Sequence, residues 1–201
     1  MKRVILVTII SLLVFSCSTP GKYPPPIENQ ALDEMESFRE YFLEGRLCDA
    51  KIALDQAIDL FAKIDNICSI SDAYIQRYLF LAYVDASEEK VLDKAEKFAD
   101  VGRCTGQKKK IDDLRSGAGD VIEPGNAPND IYRSVMQRKA AIRTKNRKYI
   151  DNALKIDRSH GWTMFVIRDY AILRLLTTDE KEKDMISKRM NFLQAYIQKC
   201  E

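Results

Sequence analysis

Apolar residues recur along most of the chain at intervals of three and four positions, which is the spacing of one face of an α-helix. Within residues 31–45, Met35 and Phe38 belong to such a stripe, and Gly45 is a typical residue for a helix end. A second stripe opens at Asp49. Two helices separated by so short a link must fold back on one another, so the pattern predicts an antiparallel hairpin.

A second hairpin is predicted in the region that ends at Gly102. Ser87 is the expected N-cap of its second helix, because a hydroxyl at this place can accept a hydrogen bond from a free backbone N–H. Beyond the hairpin, residues 103–129 hold four glycines and two prolines. They are predicted to be a connector with at most a short helix.

The region after the connector predicts three further helices. The first starts at Asn129 or Asp130 and continues without a break into the segment before His160. The second, residues 162–176, is apolar almost all round and is therefore expected to be buried at the centre of the fold. The third is capped by Asp179 or by the threonine before it.

These elements predict an all-α fold of antiparallel helical hairpins, as a repeat array or as an irregular bundle. The predicted single domain covers residues 31–201, which is enough chain to bury a real core. Its hairpins occupy residues 31–102, and its C-terminal helices occupy residues 130–201.

The first residues follow a different pattern. Lys2 and Arg3 precede a mostly apolar run, VILVTIISLLVF, which is shorter than the roughly 20 residues that a membrane-spanning helix needs. A basic start, a short apolar core and the small residue Ser16 are typical of an export signal. Residues 18–30 then carry four of the six prolines and predict an extended tether.

The sequence VFSC, at residues 14–17, resembles the lipobox of bacterial lipoproteins. The resemblance implies a signal peptide over residues 1–17, ending at a lipidated Cys17 that becomes the first residue of the mature chain and anchors it to a membrane. Ser18 stands where an aspartate often marks inner-membrane retention in that family, which favours the periplasmic face of the outer membrane. The alternative is an ordinary secretory signal with a chance cysteine.

Four cysteines follow Cys17, and an oxidising compartment permits disulfides among them. Cys48 and Cys68 lie at opposite ends of a predicted helix, roughly 20 Å apart, which is too far for a bond that tolerates about 7 Å between Cα atoms. Cys68 and Cys104 lie at one end of the second hairpin and can clamp it, which leaves Cys200 for Cys48. The alternative is a set of buried free thiols.

The charges of the chain are unevenly distributed. Acids outnumber bases in the part that ends at Asp100, and bases outnumber acids after it. This split indicates either attraction between the two halves or two separate interaction faces. A basic face is predicted on the long helix after the connector, as a solvated surface or as a docking site for an anionic partner. Its residues are Arg138, Arg143, Lys145, Arg147 and Lys148.

The residues include little that is typical of an active site. The one histidine, His160, has no nucleophile signature beside it, and the chain has no CxxC pair. Neither catalytic residues nor a metal or cofactor site is therefore predicted, and the chain is not expected to be an enzyme. Export argues against nucleic acid as a partner of the basic half and favours an anionic envelope polymer, a lipid head group or an acidic protein surface.

The first hairpin carries Tyr41, Gly45, Ala57 and Phe61 at the spacing of the tetratricopeptide repeat, and over residues 31–102 the chain resembles that family. The resemblance implies a concave helical surface for a protein partner. The expected function is that of a lipid-anchored scaffold or adaptor in an envelope assembly. The alternatives are an enzyme that modifies envelope polymers and a binding protein for small apolar ligands.

Overall fold

A computed structural model of the protein describes residues 26–117, 129–198 and 200. Within these residues the chain forms nine α-helices and no strand, which confirms the all-α prediction. Helices α1 to α5 are Ile27–Glu44, Leu47–Lys63, Ile67–Tyr83, Glu89–Val101 and Thr105–Ser116. Helices α6 to α9 are Asp130–Thr144, Arg147–His160, Thr163–Leu176 and Glu180–Gln194. The predicted signal peptide with Cys17, and residues 18–25 of the predicted tether, lie outside the described residues.

Helix α1 begins at Ile27, directly after Pro26, so the tether predicted over residues 18–30 was wrong for its last four residues. Proline is compatible with a helix start, and Glu28 in the first turn interacts favourably with the helix dipole. The helix ends as predicted at Gly45, whose φ of 84° is left-handed. Only two residues separate α1 from α2, so the pair forms an antiparallel hairpin.

Helices α3 and α4 form the second hairpin, and α5 packs against both of them. Glu88 occupies the N-cap position of α4, and Ser87 lies exposed outside the helix, so the predicted capping role of Ser87 was wrong. The short helix that was allowed within the predicted connector is present as α5, and it is longer than expected because it takes up residues 105–116. This helix is stable because Ile111 is buried against α3 and α4, and because Gly117 ends it with a φ of 70°.

The single long helix predicted after the connector is broken into α6 and α7. Lys145 adopts the left-handed conformation, with a φ of 56°, which a continuous right-handed helix does not allow. Asn146 then caps α7, because its side chain accepts a hydrogen bond from the backbone N–H of Lys148. The unbroken helix was therefore a wrong prediction, since Lys145 ends one helix and Asn146 starts the next.

Helix α8 contacts α1, α6, α7 and α9, and its Phe165 is fully buried, which confirms the prediction of a central buried helix. Phe165 belongs to one apolar core together with residues of α1 to α3 and with Val135 and Met136 of α6. This core joins the N-terminal hairpins to the C-terminal helices. Asp179 caps α9 by accepting a hydrogen bond from the backbone N–H of Lys181.

Two disulfides connect the helices. One joins Cys68 to Cys104, with their Cα atoms 5.6 Å apart, and the other joins Cys48 to Cys200, with their Cα atoms 5.3 Å apart. This is the pairing that the positions of the predicted helices favour. The first bond ties the start of α3 to the turn before α5, and the second holds the C-terminal residues against the start of α2.

Some bases of the basic half form ion pairs with acids of the acidic half. Arg115 of α5 reaches three carboxylates on α4 and at its start, at distances of 2.8 to 2.9 Å. They belong to Glu89, Asp93 and Glu96. Arg168 of α8 forms an ion pair with Asp85, which follows α3. These pairs support attraction between the halves, which was one of the two interpretations of the split.

Candidate binding cleft above a buried charge cluster

A cleft of about 780 Å³ lies between the layer of α3 and α5 on one side and α6 on the other. Tyr78 and Leu79 of α3 and Leu114 of α5 form one wall, and Tyr132 and Ile142 of α6 contribute to the opposite wall. Ile142 is 43% exposed, and the two tyrosines are half-buried. The volume is within the range of natural ligand pockets, and the walls present apolar surface that an occupant can cover.

Charged side chains of both signs lie along the rim of this cleft. Asp72 of α3 accepts a hydrogen bond of 2.7 Å from Gln107 and one of 2.9 Å from Lys110, both on α5. At another point of the rim, Arg168 pairs with Asp85. Because acids and bases are both present here, the rim suits an occupant whose own polar side carries charges of both signs.

Arg138 forms part of the cleft floor, and its side chain is only 4% exposed. Its guanidinium carbon lies 3.8 Å from the ring centre of Phe165 on α8. One terminal nitrogen donates to the carbonyl oxygen of Tyr83 over 3.2 Å. The other donates to Oγ of Ser134 over 2.9 Å and to Oδ2 of Asp157 over 3.0 Å. One side chain therefore links the end of α3 to α6, α7 and α8.

Two fully buried carboxyl groups share this one guanidinium. Asp157 accepts from Arg138 and, over 2.7 Å, from the hydroxyl of Ser134. An oxygen of Asp169 lies 2.8 Å from Nε of Arg138, but the two are not aligned for a hydrogen bond. Two buried carboxylates against one cation would leave a negative charge unpaired in the interior, which costs several kcal/mol.

A proton on Asp169 resolves this imbalance. Burial and, to a smaller extent, the neighbouring Asp157 raise the pKa of Asp169 to about 9, although the attraction of Arg138 lowers it. Asp169 is therefore protonated at neutral pH and can donate to Asp157, whose Oδ1 accepts no hydrogen bond from any other residue that the structure describes. The cluster then contains one cation and one anion, so it is neutral overall.

The predicted basic face is only partly a surface. Arg138 belongs to the buried cluster, so its inclusion in that face was wrong; it follows Val135 by three positions and thus shares the buried stripe of α6. The other four residues are exposed around the turn between α6 and α7. They are Arg143, Lys145, Arg147 and Lys148. Because Arg147 binds Glu182 of α9 over 2.8 Å, part of this charge is balanced within the molecule, and docking of an anionic partner there stays a prediction.

Asp157 and Asp169 belong to the site but to no recognisable sequence motif. The signal that could have found them is periodicity. Asp157 follows the buried Leu154 by three positions, and Asp169 follows the buried Val166 by three, so each lies on the apolar stripe of its helix. A charged residue on such a stripe needs a partner inside the protein, and Arg138 is on a buried stripe as well.

His160 has a structural environment at the end of α7. Its Nε2 lies 2.8 Å from a carboxylate oxygen of Asp130, at the start of α6. Its ring stacks on that of Trp162, with ring centres 4.3 Å apart. The histidine thus connects α6, α7 and the turn before α8, and the carboxyl groups of the buried cluster are not among its contacts.

Comparison with protein-family models, curated proteins and solved structures finds no match to this chain. Among the described residues, no group of three or more His, Cys, Asp or Glu side chains is placed to hold a metal ion. In the same residues, none of the helices has the length and apolar character required to cross a bilayer. Inference about function therefore depends on the cleft and on the pattern of the N-terminal residues.

Proposed function

We propose that the protein is a lipid-anchored scaffold or adaptor of the bacterial envelope, which binds an amphipathic helix of a protein partner in the cleft between α3, α5 and α6. The observation that carries this proposal is the cleft itself. Its walls are apolar and aromatic while its rim carries charges of both signs. Proteins that bind a helix in a groove combine an apolar wall with polar flanks in this way.

The dimensions of the walls suit a helix as the occupant. The residues that line the cleft extend from Ser69 to Tyr83 along α3 and from Tyr132 to Ile142 along α6, so the walls are roughly 21 and 15 Å long at 1.5 Å per residue. A partner helix of about three to four turns has a similar length. Its apolar stripe would cover Tyr78, Tyr132 and Ile142, and its polar flanks would meet Asp72 and Arg168 on the rim.

The cluster beneath the cleft favours binding over catalysis. A general acid or base must come within hydrogen-bond reach of the proton that it transfers. Asp157 and Asp169 have no exposed surface and contact Arg138 and Ser134 instead. In this proposal they stabilise the floor against which the partner helix packs.

The location in the proposal is supported by the N-terminal sequence alone. An acylated Cys17 would bind the outer membrane firmly, because each buried methylene contributes about 0.8 kcal/mol. Fractionation of cells checks this part separately. The wild-type chain is expected in the membrane fraction and the Cys17→Ala variant outside it, whereas equal distribution of the two would contradict lipid anchoring.

Site-specific crosslinking in cells tests the binding function. A photoreactive residue at position 142 lies in the cleft, and one at Val101 serves as the control, because Val101 is apolar and 75% exposed but does not line the cleft. We expect a specific envelope protein to crosslink at position 142 and not at position 101. A synthetic amphipathic segment of that protein should bind the purified chain, and Ile142→Asp should weaken binding at least about tenfold while Val101→Asp leaves it unchanged.

Three results would contradict this function. Equal crosslinking at both positions would indicate a non-specific surface. Adducts only with residues 118–128 of the same chain would indicate that the chain fills its own cleft. If no helix of the captured protein binds the purified chain, the crosslink does not report binding of a helix in the cleft.

A further inference from the structure

A second groove lies between the end of α7, α8 and α9, with a volume of about 530 Å³. Val166 and Tyr170 of α8 form its floor and are 7% and 5% exposed. Met185 and Phe192 of α9 form a wall and are 45% and 62% exposed. Much apolar surface of the groove is therefore exposed to water. Displacement of this water by an apolar occupant favours binding.

All the charged side chains that line this groove are positive. Arg158, at the end of α7, donates a hydrogen bond to the hydroxyl of Tyr170, which holds its guanidinium beside the floor. Lys188 of α9 pairs with Asp184 over 2.7 Å. No acid in the described part of the chain balances Arg158 or Arg189. The groove thus combines an apolar floor with two guanidinium groups that are available to an anion.

We infer that this groove binds one molecule of a long-chain fatty acid. The acyl chain lies on Val166, Tyr170 and Phe192, and the carboxylate lies between Arg158 and Arg189. Each methylene removed from water strengthens binding about fourfold, and the planar guanidinium fork matches a carboxylate. This site is separate from the cleft, so it does not depend on the partner-binding function.

Two other anionic occupants are an anionic bilayer surface and an acidic peptide. The shape of the groove favours a single fatty acid over both. A bilayer surface would meet a flat or convex face, whereas the buried floor here lies below the exposed wall that Met185 and Phe192 form. An extended peptide would need hydrogen-bond partners for its backbone N–H and C=O groups. The lining is chiefly hydrocarbon and cations, which satisfies an acyl chain with a single carboxylate better than a peptide backbone.

Calorimetric titration of palmitate into the purified, disulfide-bonded mature chain tests the inference. The palmitate is kept below the concentration at which it forms micelles. We expect one palmitate per chain, at least about tenfold weaker binding of uncharged methyl palmitate, and weaker binding of octanoate because its shorter chain buries fewer methylenes.

Two variants locate the site, and a third serves as a matched control. Arg189→Gln is expected to weaken palmitate binding about tenfold, because it removes a charge-assisted hydrogen bond. Met185→Glu places a carboxylate in the wall and is expected to weaken binding further through repulsion. Arg174→Gln is the control, because Arg174 is exposed on α8 but does not line the groove. Thermal unfolding of each variant shows whether the fold is preserved.

Several outcomes would overturn the inference. One is equal affinity for palmitate and its methyl ester, and another is equal affinity of the wild type and Arg189→Gln for palmitate. Binding to anionic phospholipid vesicles without binding of monomeric palmitate would assign the groove to a membrane surface instead. Binding of an acidic helical peptide alone would assign it to a protein.

Discussion

Arg115 and Arg138 are both surrounded by carboxyl groups, but they lie in regions that differ in their access to water. Arg115 is on the surface of the α4–α5 region, where its side chain is 32% exposed and meets three carboxylates. Arg138 is in the interior between α6, α7 and α8, where it is 4% exposed and meets two carboxyl groups. A disulfide between Cys68 and Cys104 fastens the first region. The second is held by the charge cluster and by apolar packing.

This difference shows that the number of ionic partners of an arginine is a poor measure of how much the arginine stabilises the fold. Around Arg115, water screens each charge, and exposed ion pairs contribute only about 0.2 to 1 kcal/mol. Around Arg138, every charge must be matched within the protein, because an unpaired buried charge costs several kcal/mol. Hydrogen bonding to Glu89 raises the pKa of Arg115, which is charged in any case. In the interior, Asp169 keeps its proton because a second buried carboxylate would have no cation of its own.

Replacement of each arginine by methionine gives the sharpest contrast. We expect Arg138→Met to lower the free energy of unfolding by about 3 to 5 kcal/mol, because it leaves buried carboxyl groups without their cation. It also removes the bond to the carbonyl of Tyr83 that joins α3 to α6. Urea denaturation followed by circular dichroism measures the effect. A loss below about 1 kcal/mol would show that the interior cluster does not hold the region together.

The pH dependence of stability separates the two carboxyl groups. The folded chain holds a proton on Asp169 that the unfolded chain releases above about pH 4, so the free energy of unfolding should fall as pH rises from about 4 towards about 9. The slope from this group is at most about 1.4 kcal/mol per pH unit. Asp169→Asn keeps the neutral form and is expected to flatten the slope near neutral pH. Identical pH profiles for the wild type and this variant would count against the shared proton.

The smallest effect is expected at the surface. Arg115→Met breaks three exposed ion pairs at once, yet it should lower the free energy of unfolding by only about 1 to 2 kcal/mol, since each pair contributes about 0.2 to 1 kcal/mol. High salt should reduce even this effect, because it screens exposed charges. The same urea measurement applies to both arginine variants, and equal losses in the two would remove the distinction between the regions.

The helices could be predicted from the sequence because their apolar stripes repeat over several turns. The errors lie where short-range hydrogen bonds compete with that period. Asn146 caps a new helix inside a stretch that looks continuous, and Ile27 extends α1 into a proline-rich segment. Residues 105–116 become helical mainly because Ile111 finds a buried position on α3 and α4. The local pattern indicates at most a short helix here, and the full length of α5 depends on this tertiary packing.

The residues of the cleft could not be predicted from the sequence. Basic residues of α6 were identified, but the assignment of Arg138 to a surface followed from its charge alone. Its true position required knowing that Asp157 and Asp169, on two other helices, come together in the interior. Residues 19 and 31 positions apart along the chain do not reveal such a meeting by their spacing. The charge of Arg138 is evident from the sequence, whereas its partners Asp157 and Asp169 could be identified only from the structure.

The central claim is that two buried carboxyl groups share the guanidinium of Arg138 and that Asp169 keeps its proton at neutral pH. The most direct measurement is the carbon-13 chemical shift of the aspartate carboxyl groups as a function of pH, with Asp169→Asn to assign the signal. We predict that the Asp169 signal keeps its protonated position through neutral pH and titrates near a pKa of about 9. A signal that titrates at the ordinary value of about 4 would contradict the claim.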